Sequence, residues 1–117
     1  MPFSPRQRIR TKAEFDDVYK NGRRAGDVYF GVAFLTNPAG APRLGMSVSV
    51  RALGSAVARN RLRRLIRESF RQRQRELPGV DIVITARAGA KNASAQEVRK
   101  SLDSHWQDLI RKCAASS

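Results

Sequence analysis

Residues 54–77, GSAVARNRLRRLIRESFRQRQREL, constrain the chain more than any other stretch, because they read as one long helix with two opposed faces. At about 100° per residue, Ala58, Leu62, Leu65, Ile66, Ser69 and Phe70 share one side, which requires a core to cover it. Asn60, Arg63, Arg64, Arg67, Arg71 and Arg75 fall on the far side, with Arg59 and Arg61 on the flanks. Residues 51–75 hold nine Arg against one Glu, a net +8 out of the formal +13 of the whole chain. A merely solvated helix face mixes signs, as in i,i+4 Glu–Lys pairs. Here Glu68 and Glu76 are the only acids. A one-sign stripe of guanidiniums suits phosphates, since each fork is planar, permanently charged and able to bond two oxygens at once. The stretch therefore points to a polyanion partner.

What flanks this helix supplies its cover. With 117 residues the chain makes one domain with one modest core. Residues 1–10 read as an extended basic arm carrying Arg6, Arg8 and Arg10, pinned by Ile9. Thr11-Lys12-Ala13-Glu14 is a capping box; the short helix after it puts Phe15, Val18 and Tyr19 on one face, and Asn21-Gly22 ends it with a residue free to take positive φ. Residues 27–36 alternate, with Val28, Phe30, Val32 and Phe34 on a core-facing side and Tyr29, Gly31, Ala33 and Leu35 opposite. Residues 37–42 make a hairpin-type loop. Residues 43–50 alternate again, Leu44, Met46, Val48 and Val50 inward and Gly45, Ser47 and Ser49 outward. Ser55 is the expected N-cap of the long helix and Pro78-Gly79 its stop.

The nearly continuous apolar run 80–87, VDIVITAR, predicts a strand covered on both faces. Strand, long helix, strand implies parallel pairing of 43–50 with 80–87. Ser94-Ala95-Gln96-Glu97 is a second capping box, opening a helix with Val98, Leu102, Trp106, Leu109, Ile110 and Cys113 on one face. Residues 114–117 are a tail. The expected fold is α+β, an α/β sandwich of order α-β-β(-β)-α-β-α with a central sheet and a long basic crossover helix.

The chemistry absent from the sequence narrows the function further. One cysteine excludes an internal disulfide or a thiolate zinc cluster. His105 and Cys113, about two turns apart on one helix, are too distant for proton transfer. Asp16 and Asp17 are adjacent, hence about 100° apart, and do not chelate one ion together. No nucleophile elbow, paired histidines or Gly-rich phosphate loop is present. No apolar run nears 18 residues and MPFSPRQRIR lacks a signal-peptide segment, so a cytoplasmic location is expected.

The run Arg59-Asn60-Arg61-Leu62-Arg63-Arg64-Leu65-Ile66-Arg67-Glu68-Ser69-Phe70, preceded by Gly54 and Ala56-Val57, resembles the signature of the protein component of bacterial ribonuclease P. The resemblance extends to aromatic residues at Phe15 and Tyr19, to Phe30, and to Gly45-Met46-Ser47-Val48-Ser49. The chain departs from the family pattern at Ala33, where some members carry a further aromatic, and at Val50-Arg51-Ala52, where one of two basic residues is missing. The resemblance implies a left-handed crossover, against the general right-handed rule. It also implies that the RNA subunit holds Mg²⁺ and performs the hydrolysis that removes the 5′ leader of precursor tRNA, so that no residue here is catalytic. Arg59, Asn60, Arg61, Arg63, Arg64, Arg67 and Arg71 would bind the catalytic RNA. Phe15, Tyr19, Phe30, Ser47, Ser49 and Arg51 would hold the leader, and the basic arm, Arg6, Arg8 and Arg10 with Lys12, is a separate candidate RNA contact. The implied partners are the catalytic RNA and precursor tRNA, with no membrane and no obligatory protein partner.

On the residues alone two other readings stay open. One is a stand-alone RNA- or DNA-binding module, such as a ribosomal-type protein. The other is a peripheral helix on an anionic membrane, which the matching apolar strands disfavour because they can cover the helix's apolar face.

Overall fold

The computed structural model describes residues 8, 9 and 11–115. Its elements are α1 (Lys12–Asn21), β1 (Arg23–Gly26), β2 (Phe30–Thr36), β3 (Arg43–Ser47), α2 (Val50–Leu53), α3 (Ala56–Arg73), β4 (Val80–Ala86), a 3₁₀ turn at Ala88–Ala90, and α4 (Ala95–Ala115). The four strands form one sheet in the order β1-β2-β4-β3. Both β1 with β2 and β2 with β4 run antiparallel, while β3 and β4 are parallel, as the strand, helix, strand order required. The optional extra strand of the sequence reading is therefore β1, which lacks an apolar alternation and exists through its pairing with β2.

The sheet divides two apolar clusters. Phe30, Val32, Phe34, Leu44, Val80, Ile82 and Ile84 pack with Leu62, Leu65, Ile66 and Phe70 of α3 and with Val98, Leu102, Trp106 and Leu109 of α4. On the opposite face Ala33 and Val83 meet Val18 of α1 and Ile9, with Phe15, Tyr19 and Leu35 half-buried around them. The side of α3 assigned to the core is the side that is buried. Trp106 anchors the α3–α4 contact: its ring meets Phe70 edge-on at 6.1 Å, and its indole N–H donates to Ser69 Oγ at 2.8 Å.

Both capping boxes form, Thr11 with Glu14 and Ser94 with Glu97. Ser55 caps α3 by accepting from the Ala58 amide. Other boundaries differ from expectation. The long helix ends at Arg73, not near residue 77, because residues 74–77 tighten into i→i+3 bonds (Glu76 N–H to Arg73 O, Leu77 N–H to Gln74 O) that bring Leu77 under cover. Arg73 itself reaches across to α4, near Asp103 and Gln107. The second strand starts at Phe30 rather than 27: the Asp27 carboxylate takes the amides of Tyr29 and Phe30 in a turn, leaving Val28 outside at 69% exposure. The third strand stops at Ser47, since Ser49 caps α2 and turns Val50 outward. Gly54 ends α2 in the left-handed region, at φ +84°. Gly22 does not take positive φ; it is a glycine because a Cβ there would lie 2.4 Å from the Val18 carbonyl oxygen and 2.5 Å from that of Phe34. Residues 114 and 115 belong to α4 rather than to a tail.

Candidate nucleic-acid interface

Once one side of α3 is committed to the core, its cations divide by direction. On the flank beside β3, Arg59 donates from Nε to the Val48 carbonyl at 2.8 Å. Arg63 and Arg67 follow it at one-turn intervals and remain half-buried. On the opposite flank Arg61 reaches the Ala93 carbonyl at 3.4 Å and so touches the loop before α4. Between the flanks, Asn60, Arg64 and Arg71 are exposed. Arg63, Arg64 and Arg67 form no hydrogen bond or ion pair among the described residues. Arg51 is exposed on α2, and Val57, 80% exposed, stands among the outward cations.

Phe15 leans over Gly45 of β3, whose missing side chain makes room for the ring. The chain before α1 runs beside the free edge of β3: Arg8 bridges to Leu44, and the Ile9 amide donates to the Leu44 carbonyl at 3.0 Å. Ile9 is buried and pins this segment, as expected. Arg6 and Arg10 lie outside the described residues. Arg8, Ile9, Phe15, Leu44, Gly45, Met46, Arg63 and Arg67 together line a groove of about 410 Å³. Arg43 fixes the wall that carries Phe15, pairing with Glu14 of the α1 cap on one side and with Asp81 of β4 at 3.0 Å on the other.

A second groove, of about 280 Å³, lies around Tyr19 and is lined also by Arg24, Gly31, Ala33, Thr85 and Arg87. The Tyr19 hydroxyl is 2.6 Å from Thr85 Oγ1, which fixes the ring. Arg24 donates to the Tyr19 carbonyl at 2.7 Å and stands 6.0 Å from the ring centre. Arg87 donates to the Asp27 carbonyl at 2.7 Å and lies flat where side chains on Gly26 and Gly31 would otherwise be. Register places Gly26, Gly31, Thr85 and Ser47 in one row across all four strands. The sequence reading missed Arg24, Thr85 and Arg87. The paired glycines that admit Arg87 become a signal only once register is known.

One expected leader contact changes. Phe30 is 0% exposed and packs in the α3–α4 cluster, on the side of the sheet away from Phe15 and Tyr19, so its ring offers no face to a nucleotide. Ser49 accepts the Ala52 amide as the α2 cap and, like Ser47 at the end of β3, is exposed. Lys12 opens α1 and is exposed.

A hollow of about 900 Å³ follows the outer face of α4, away from both grooves. Its Arg73 and Arg111 are matched by Asp103 and Asp108, so it is a mixed-sign surface. His105 is buried beside Asp27, 3.1 Å away, and burial pushes the Cys113 thiol up against the opposing effect of Arg23. The two groups have separate surroundings. Among the described residues no three His, Cys, Asp or Glu side chains converge as a metal site, and no helix is long and apolar enough to cross a membrane.

The family model described as Ribonuclease P matches residues 3–110. The ribonuclease P protein component of Methylococcus capsulatus is 36% identical over 115 residues, spanning 98% of this chain and 90% of that one. The one from Vibrio parahaemolyticus is 38% identical, over 93% and 92% of the two chains. Among solved structures, the RNase P protein of Staphylococcus aureus superposes with a TM-score of 0.82 at 35% identity, covering 88% of this chain and 94% of that one. The Thermotoga maritima protein gives 0.79 at 30% identity, over 87% and 96%. Matched by the family model along nearly its whole length, more than a third identical to these protein components and sharing the fold of their solved structures, the chain belongs to the ribonuclease P protein component family.

Proposed function

We propose that the chain, as the protein subunit of cytoplasmic ribonuclease P, assists removal of the 5′ leader from precursor tRNA by holding the leader and the catalytic RNA together. The observation that supports this most directly is that Arg63 and Arg67 of α3, which form no hydrogen bond or ion pair among the described residues, line the same groove as Phe15. Ring faces at Phe15 and Tyr19 stack on any base, at about 1–3 kcal/mol each, which suits a strand of variable sequence. Ser47, next in β3 after the groove residue Met46, and Arg51 on α2 are both exposed. Bringing two polyanions together is costly, and a net charge of +13 lowers that repulsion and with it the Mg²⁺ concentration needed. The water for hydrolysis would be activated by Mg²⁺ held mainly by the RNA. The side chains here bind, orient and neutralise.

The test is replacement of Phe15 and Tyr19 by Ala in the reconstituted holoenzyme. Precursor tRNA affinity is expected to fall by roughly 30-fold or more, with mature tRNA unchanged. Equal losses for both substrates would remove the leader role.

A further inference from the structure

We infer that the arginines of α3 are divided between two RNA partners: Arg63 and Arg67 clamp the leader's phosphates, while Arg64 and Arg71, with Asn60, face the catalytic RNA. This rests on the leader reading of the Phe15 groove and assigns its charge. Sequence pattern alone places all of these cations on one stripe with one partner.

The division follows from what stands opposite each side chain. Arg59, tied to the Val48 carbonyl, sets the flank of α3 against the end of β3. Arg63 and Arg67 repeat that direction one and two turns later, and they form the groove wall facing Phe15. The groove is closed on its other side by the Arg8–Ile9 segment beside β3, and its volume of about 410 Å³ is within the ~300–1,000 Å³ of ordinary ligand sites. Walls on both sides suit a single strand. A folded catalytic RNA needs an outward face instead, and Asn60, Arg64 and Arg71 present one.

The electrostatics agree. Neither Arg63 nor Arg67 has a hydrogen-bond or ion-pair partner among the described residues, so their forks stay available. Glu14, next to Phe15 in sequence, is taken by Arg43 and the Thr11 cap. The two arginines are one turn apart, with Cβ atoms about 5–6 Å from each other, and their long side chains reach successive phosphates of a strand whose base stacks on Phe15.

The experiment compares Arg63→Gln/Arg67→Gln with Arg64→Gln/Arg71→Gln in the full chain. Affinity for catalytic RNA alone and the holoenzyme's preference for precursor over mature tRNA are measured for each, with folding checked by thermal melting. The first pair should lower the preference about tenfold or more while catalytic-RNA affinity stays within about threefold. The second pair should do the reverse. If the first pair weakens catalytic-RNA binding as much as the second, or leaves the preference unchanged, the division is overturned. Phe15→Ala run in parallel separates the causes: a preference lost in Phe15→Ala but kept in Arg63→Gln/Arg67→Gln sinks only this assignment, whereas a preference kept in both sinks the leader groove itself.

Discussion

Gly45→Ala tests whether the position of the Phe15 ring governs leader binding. A Cβ at residue 45 would lie 2.9 Å from Cζ of Phe15 and 3.0 Å from Cβ of Ile9. Ordinary carbon contacts are ~3.5–4.0 Å, so the neighbours must retreat by roughly 0.5–1 Å. Ile9 is buried and held by its bond to the Leu44 carbonyl, whereas Phe15 is half-exposed. The ring therefore takes most of the displacement. Backbone strain does not enter, since the described glycines with positive φ are Gly40 and Gly54. Overpacking costs about 1–3 kcal/mol, and a ring free to swing outward puts this case near 1 kcal/mol, or about 4–6 °C in Tm. A misplaced stacking platform should cost about tenfold in precursor tRNA affinity. Mature tRNA and catalytic-RNA affinities should change by less than about twofold. Thermal melting and equilibrium binding of the reconstituted holoenzyme read all three quantities. The expected drop in Tm with undiminished precursor binding would falsify the link between the ring's position and leader capture.

Three further outcomes follow from other contacts. Ser69→Ala leaves the Trp106 indole N–H without its buried acceptor and should cost about 1–3 kcal/mol in urea unfolding, with part of the loss absent when Trp106→Phe is already present; strictly additive costs would contradict the pairing. Burial opposes ionisation of Asp27, but hydrogen bonds from Ser101, Phe30 and Tyr29, with the charge of His105, hold its carboxyl below the usual range. Because the folded value lies below an unfolded value of about 3.9, the stabilisation is complete above that pH and fades as pH falls through the folded value. Urea midpoints of Asp27→Asn should therefore depend less on pH below about pH 4 than those of the parent, and equal slopes would refute this. Finally, log affinity for catalytic RNA should fall with log salt by roughly 0.7–0.9 per phosphate contacted, and Arg64→Gln should reduce the slope by about one such increment. An unchanged slope removes Arg64 from that interface.

Local signals account for most of what was legible. The caps at Thr11, Ser55 and Ser94 and the buried face of α3 each depend on residues within a turn or two of one another, so a short window suffices. Phe30 shows the limit. Alternation correctly turned it inward, but resemblance suggested a ligand contact, and the sheet has two covered faces. Which face receives Phe15 and which receives Phe30 depends on where α1 docks relative to α3 and α4. Gly22 and Gly45 are similar cases: each makes room for a group from another element, the Phe34 carbonyl in one and the Phe15 ring in the other.

The sequence alone determined a helix that must bury one side and present phosphate-seeking charge on the other, because periodicity and residue type act within a single element. Tertiary structure decided how that charge is shared. Arg59 and Arg61 are anchored on carbonyls, Arg63 and Arg67 are turned into a groove, and Arg64 is left facing outward. Those fates depend on β3, the arm and the loop before α4, which lie beside α3 only after the chain has folded.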